Sequence, residues 1–349
     1  MDRIAFSSLS REEIEVRTNP ELEQKFLRMQ KNMGFSGSVL VAEGDKITHA
    51  GAYGKRKFGI TGDLNLNTTF QLASVSKIIT AVAVLQLYDE GAIRDLNDEV
   101  SKYIPEFPYE GVTIRHMMIH RSGIPRYMPI AEKRWNPDLP FSNEDMLQLM
   151  VTDSQKPYFS PGNGFNYLNT NYAMLALLVE RISGQPFATY LKQNIFEPAG
   201  MENSFVANPY QPLPENAAYG HVRRRRGYVW LNLEFLDGVV GDKGVFSSVM
   251  DLFRFDCALD AGKLIAPETL EEAFCPGSPN RLYTNYGLGW RMRKQVDQVV
   301  YHFGWWRGYR SAYIKDVTHD RTILVLSNHD DMRRYFSPWE LQCAYYEAN

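Results

Sequence analysis

Ser74 and Lys77 stand three residues apart in FQLASVSKIITAVAVLQLYDEG, a run that otherwise reads as a buried apolar helix. Positions i and i+3 share a helix face, with Cβ atoms about 5–6 Å apart. A hydroxyl and an amine held that close can serve as a nucleophile and its activator. Burying an ammonium is costly unless something needs it there. Among Ile78, Ile79, Val82 and Val84, desolvation favours the neutral amine, which can take the hydroxyl proton. With Ser74 in the first helical turn, the positive end of the helix dipole would stabilise negative charge forming beside it. The pair alone is a weak signal, because about one Ser-x-x-Lys is expected by chance in a chain this long. A lysine can also extend its ammonium to the surface.

Periodicity and turn chemistry define the elements that must hold this pair. Asn19 to about Met33 reads as an amphipathic helix with Pro20 in its first turn. Two apolar runs flank Glu43-Gly44-Asp45, a hairpin signal. The helix of Ser74 runs to about Glu90 and stops at Gly91. Helices and loops then dominate to about Gly200, including YAMLALLVERISG from Tyr172 and PFATYLKQNIF. After Asn208 short β-like runs appear, GYVWLN near Tyr228 among them. A helix follows, with Ser248 and Asp251 as N-cap chemistry. The strand-like runs QVVYHFGWW, YRSAYIKD and TILVLSN come next, and a closing helix starts at Pro338. The economical architecture is α+β. Residues 1–72 and 209–349 build one antiparallel sheet flanked by helices, and residues 73–208 form a mostly helical insertion. The Ser/Lys pair then falls at the interface of the two parts.

Composition excludes several classes of function. A net charge of −3 over 349 residues gives no global pull toward nucleic acid. The one basic run, Arg223 to Arg226, reads as a solvated hairpin or loop. Cys257, Cys275 and Cys343 are far apart, with no CxxC and no Cys/His cluster. The expectation is free, buried thiols and no metal site. No window reaches the roughly 18 apolar residues of a membrane span. The N-terminus MDRIAFSSLSREEIEVR lacks an apolar signal core, which fits either a cytoplasmic chain or a mature exported one.

The surroundings of the pair carry a family resemblance. Ser74-Val75-Ser76-Lys77 resembles the first motif of the serine β-lactamase and penicillin-binding protein superfamily. FQLASVSK, GAIRDLNDEVSKYIPEFP with VTIRHMMIHRSGIP, SPGNGFNYLNTNYAMLALLVERISG, GDKGVFSSVMDLFRF, NYGLGWRM and YHFGWWRGYRSAY resemble successive blocks of its class C branch. That branch holds DD-carboxypeptidases, D-aminopeptidases and esterases. The likeness covers roughly residues 35 to 330. The second motif, Tyr-x-Asn, is identified as Tyr167-Leu168-Asn169, with Leu where the family often has Ser. Tyr283-Thr284-Asn285 fits the same pattern but lacks the SPG loop before it and the long helix after it. The third motif is His302-Phe303-Gly304 on a strand. His49-Ala50-Gly51 and Lys57-Phe58-Gly59 match it too, but precede Ser74. A strand glycine at Gly304 lets a substrate backbone approach. Trp305 and Trp306 replace the small residues common there and should narrow the pocket or form a stacking wall.

The resemblance implies acyl transfer through an acyl-enzyme on Ser74, with no metal or cofactor. Lys77 and Tyr167 would share the proton transfers, and Asn169 would orient Lys77 and the substrate amide. The backbone N–H groups of Ser74 and Trp305 would form the oxyanion hole. His302 would hydrogen-bond substrate or Tyr167. Taken singly, these residues have plainer roles. His302 reads as a satisfied strand histidine, Tyr167 as a packed tyrosine, and Asn169 as a helix cap. His120 and Ser122 in HRSGIP read as turn formers, and Tyr286 and Trp290 as packing. Histidine at 302 lacks the permanent charge of the lysine alternative, which weakens the case for an efficient β-lactamase. The leading expectation is a DD-peptidase-like or D-amino-acid peptidase or esterase, acting on a small molecule or peptide. A β-lactamase is the runner-up enzyme, and a catalytically silent binding module is the non-enzymatic alternative.

Overall fold

The computed structural model describes residues 16–58, 61–225, 227–277, 285–293 and 299–329. Cys343 and the closing helix expected from Pro338 lie outside that set, as does most of the Tyr283-Thr284-Asn285 motif. Both ends of the chain build one seven-stranded antiparallel sheet. Its order is Asn285–Tyr286, Arg291–Met292, Val299–Trp306, Tyr309–Asp316, Arg321–Ser327, Gly37–Glu43, Lys46–Tyr53. The N-terminal hairpin turns at Gly44, as its turn residues predict. Its first strand pairs with the last, from Gly37 opposite Ser327 to Glu43 opposite Arg321.

Strand alternation gives the sheet two apolar faces. Val39 and Val41 meet the helix Pro20–Met33 through Leu22, Phe26 and Met29. Leu40 and Ala42 face the larger core on the other side. The helix Pro20–Met33 is started by Asn19, whose side chain accepts from the N–H groups of Glu21 and Leu22, and it ends on a left-handed Gly34. Ser248 caps the helix Val249–Asp260 by accepting the Asp251 N–H.

The central helix, Ser76–Asp89, is buried on every side from Ser76 to Leu87. A helix apolar all round belongs in the middle of a core. It packs against the helix Asn169–Ser183, which stops at a left-handed Gly184. The basic run forms the hairpin His221–Arg224/Gly227–Trp230, with Arg223, Arg224 and Arg225 exposed. Cys257 is half-buried and Cys275 exposed, both as free thiols rather than the buried ones expected. Cys275 lies just beyond the helix Pro267–Ala273, where the chain has left the core.

Candidate active site

Ser74 sits one element earlier than its sequence suggests. The α-helix begins at Ser76, and Ser74 belongs to a 3₁₀ turn, Ala73–Val75. Tertiary contacts impose that turn. The Leu72 N–H donates to the Val245 carbonyl at 2.8 Å, the Leu72 carbonyl accepts the Ser311 hydroxyl, and Ala73 adopts a φ of +48°. A left-handed alanine is uncommon and stores strain. Gly304 explains how the turn docks. A Cβ there would lie 2.1 Å from Ser311 Oγ and 2.4 Å from the Leu72 carbonyl oxygen. Its missing side chain therefore admits the Ser74 turn itself onto the strand Val299–Trp306.

Lys77 is fully buried and makes three polar contacts. Nζ lies 3.0 Å from Ser74 Oγ, 2.9 Å from Asn169 Oδ1 and 2.7 Å from the Asp242 carbonyl oxygen. The last two atoms can only accept. They take two N–H groups of the amine in either protonation state, so the third position faces Ser74. With the amine neutral, that position is the lone pair. Asn169 is the first residue of its helix and Leu168 the cap, without a side-chain capping bond. Asn169 thus serves Lys77 rather than the helix end. The Tyr167 ring centroid is 5.1 Å from Lys77 Nζ, and the ring is half-buried. Ser74, Tyr167 and Asn169, from two sequence regions, converge on the Lys77 amine.

His302 lies beneath this group, and among the described residues it makes no hydrogen bond to Tyr167. Its ring centroid is 6.1 Å from that of Tyr167. Its Nδ1 is 3.0 Å from the Phe303 carbonyl, and Nε2 is 3.0 Å from the Tyr286 hydroxyl. Nδ1–H donates to the carbonyl, so Nε2 accepts from Tyr286. Burial, with Arg291 and Lys77 nearby, pushes the His302 pKa well below the ordinary histidine range. The ring is a neutral, fully buried support. Tyr286 and Trp290 are packed in the core, as expected. Trp305 shares its strand face with Tyr301 and Phe303, which pack toward the helix Pro20–Met33. Its indole is 53% exposed on that outer face, stacked with Arg310. It does not narrow the site; Trp306 lies on the site side, donating from Nε1 to Asp237 at 2.7 Å.

A family profile described as Beta-lactamase matches residues 23–342. The chain belongs to the beta-lactamase family. Penicillin-binding protein 4* of Bacillus subtilis (strain 168) is 35% identical over 329 residues, spanning 90% of this chain and 72% of that protein. The D-aminopeptidase of Gluconobacter oxydans (strain 621H) is 24% identical over 276 residues, spanning 75% of this chain and 50% of that protein. The crystal structure of a penicillin binding protein from Bacillus halodurans shares the fold, with a TM-score of 0.80 at 24% identity over 93% of this chain and 98% of that one.

This beta-lactamase-family site includes groups that the motifs do not name. The Asp242 carbonyl holds Lys77, while the Asp242 carboxylate accepts the Tyr127 hydroxyl at 3.2 Å. The neighbouring Lys243 ammonium is buried too, donating to Tyr127 at 3.0 Å and to the Val239 carbonyl at 2.9 Å. Arg291 lays its guanidinium 4.6 Å from the Tyr167 ring centroid. The signal available was GDKG: two charged residues inside an otherwise apolar block. Among the described residues no cluster of His, Cys, Asp and Glu could hold a metal ion, and no helix is long and apolar enough to cross a membrane.

Proposed function

We propose that this chain is a serine hydrolase that forms an acyl-enzyme on an amide or ester, with a D-amino-acid residue at the scissile bond. The observation that carries the reading is the Lys77 amine, with two positions committed to neutral acceptors and the third 3.0 Å from Ser74 Oγ. Lys77 takes the Ser74 proton as Oγ forms a bond to the substrate carbonyl carbon. The backbone N–H groups of Ser74 and Trp305 receive the oxyanion. Such donors are worth about 3–4 kcal/mol each. The bond to the leaving amine or alcohol then breaks, with its proton delivered through Lys77 and Tyr167. Water attacks the ester on Ser74, returning the enzyme and releasing the acid. Asn169 holds Lys77 in place throughout.

The D-amino-acid preference is supported by the D-aminopeptidase among the relatives, and the cation beside Tyr167 bears on substrate charge. Arg291 supplies a permanent charge that the neutral His302 does not, suiting a substrate that carries a carboxylate. Intact-mass measurement after exposure to a fluorophosphonate tests the nucleophile. Wild type gains one adduct, and Ser74→Ala gains none; an adduct that persists in Ser74→Ala refutes the assignment. A panel of D-alanyl peptides, D-alanyl esters and nitrocefin then separates the peptidase and esterase readings from the β-lactamase one.

A further inference from the structure

The geometry points to His120 as the positioning residue for Tyr167, an inference that rests on Tyr167 taking part in acylation. His120 brackets that tyrosine along the chain. Its carbonyl accepts the Asn166 N–H at 3.0 Å, and its Nδ1 accepts the Leu168 N–H at 3.1 Å. The imidazole also packs on the phenol ring, with centroids 4.4 Å apart. Asn171 Nδ2 reaches the same Nδ1 at 3.2 Å, and Asn171 is itself held by the Ser122 hydroxyl at 2.6 Å. Ser122 therefore serves this bracket and does not pair with His120.

A backbone N–H can only donate, so the Leu168 bond requires an unprotonated Nδ1 and places the ring proton on Nε2. Nε2 is buried with no hydrogen-bond partner among the described residues. His120 also sits at a φ of +58°. An unpaired buried donor and a left-handed backbone both cost stability. A residue serving only as a turn former would need neither an imidazole nor that burial. What the imidazole supplies is an acceptor at the height of the Leu168 N–H and a ring tilted at 44° against the phenol. Burial first, then Lys77, Arg291 and His302, push its pKa well below the ordinary range, which keeps Nδ1 an acceptor.

The test is the kinetics of labelling of the full chain by the fluorophosphonate, resolved into maximal rate and probe affinity. His120→Leu removes the acceptor and should lower the maximal rate about tenfold or more, with probe affinity within about twofold. His120→Asn keeps an acceptor near Nδ1 and tolerates a left-handed φ, and should recover to within about threefold of wild type. Tyr167→Phe alone should also slow labelling. Adding His120→Leu to it should cost nothing further, because the histidine acts through the phenol. Wild-type labelling by His120→Leu, or losses that multiply in the double variant, would overturn the inference while leaving the catalytic reading intact. Full-rate labelling by Tyr167→Phe would instead remove Tyr167 from the mechanism, and the inference with it. Should His120→Leu not fold, His120→Gln, whose amide reaches the Nε2 position, takes its place in the same cycle.

Discussion

Lys77 and Lys315, two of the three lysines almost fully buried among the described residues (Lys243 is the third), have surroundings that are opposite in kind. Lys315, between the sheet and the helix Val249–Asp260, donates to Asp256 at 3.0 Å and Asp260 at 2.5 Å. Asp256 also accepts from Tyr313 and Thr322. Burial works against the Lys315 ammonium, but the two carboxylates outweigh it and hold its pKa above the usual lysine range. Lys77 meets a hydroxyl, an amide oxygen and a peptide carbonyl instead. Among the described residues no carboxylate lies within hydrogen-bond reach of this amine. The partners, rather than the depth of burial, separate the structural clamp from the lysine proposed as proton acceptor.

The sharpest way to break that contrast is to remove each amine. Lys77→Met should slow fluorophosphonate labelling by about a hundredfold or more. It should cost only about 1–3 kcal/mol of stability, for acceptors left unpaired. Lys315→Met should do the reverse. Its two stranded carboxylates should destabilise the fold by about 3–5 kcal/mol, read from urea denaturation, with labelling of the folded enzyme unchanged. Equal stability losses, or slow labelling by Lys315→Met, would erase the distinction. A smaller effect sharpens it. Burial and the Asp256 charge raise the Asp260 pKa to about 6 from an ordinary 3.8. An acid raised in the folded state contributes stability that is fully present below its unfolded value and is lost as pH rises through its folded value. The urea midpoint of wild type relative to Asp260→Asn should therefore fall between pH 4 and pH 7. A difference that stays flat would mean that Lys315 fully offsets burial and the Asp256 charge at Asp260.

What could be read from the sequence divides along similar lines. Ser74, Lys77, Tyr167 and Asn169 were legible because their types, spacing and chain order carry the chemistry together. The sheet built from both chain ends was legible because its strands show period-two or continuous apolar runs bounded by turn residues. The left-handed Ala73 was not, since only Val245, Ser311 and Gly304 enforce the turn. Tyr286 was read as packing, but its bond to His302 escaped because it joins a short loop strand to the site strand. Asp242 holds Lys77 through a backbone carbonyl, so the charges in GDKG could flag the block but not that contact. Trp305 is a different case. Counting by twos from His302 along the strand would have sent its indole to the outer face, so that signal was present.

The pairing of Glu43 with Arg321 joins residues 278 positions apart. At a synthesis rate of about 5–20 residues per second, the first hairpin emerges roughly 15–55 s before the strand that covers its open edge. For that interval Val39, Leu40 and Val41 offer an unpaired apolar ribbon to any other nascent chain. Crowding and chaperone supply should therefore govern how much protein reaches the mature state, well before any feature of the catalytic centre comes into play.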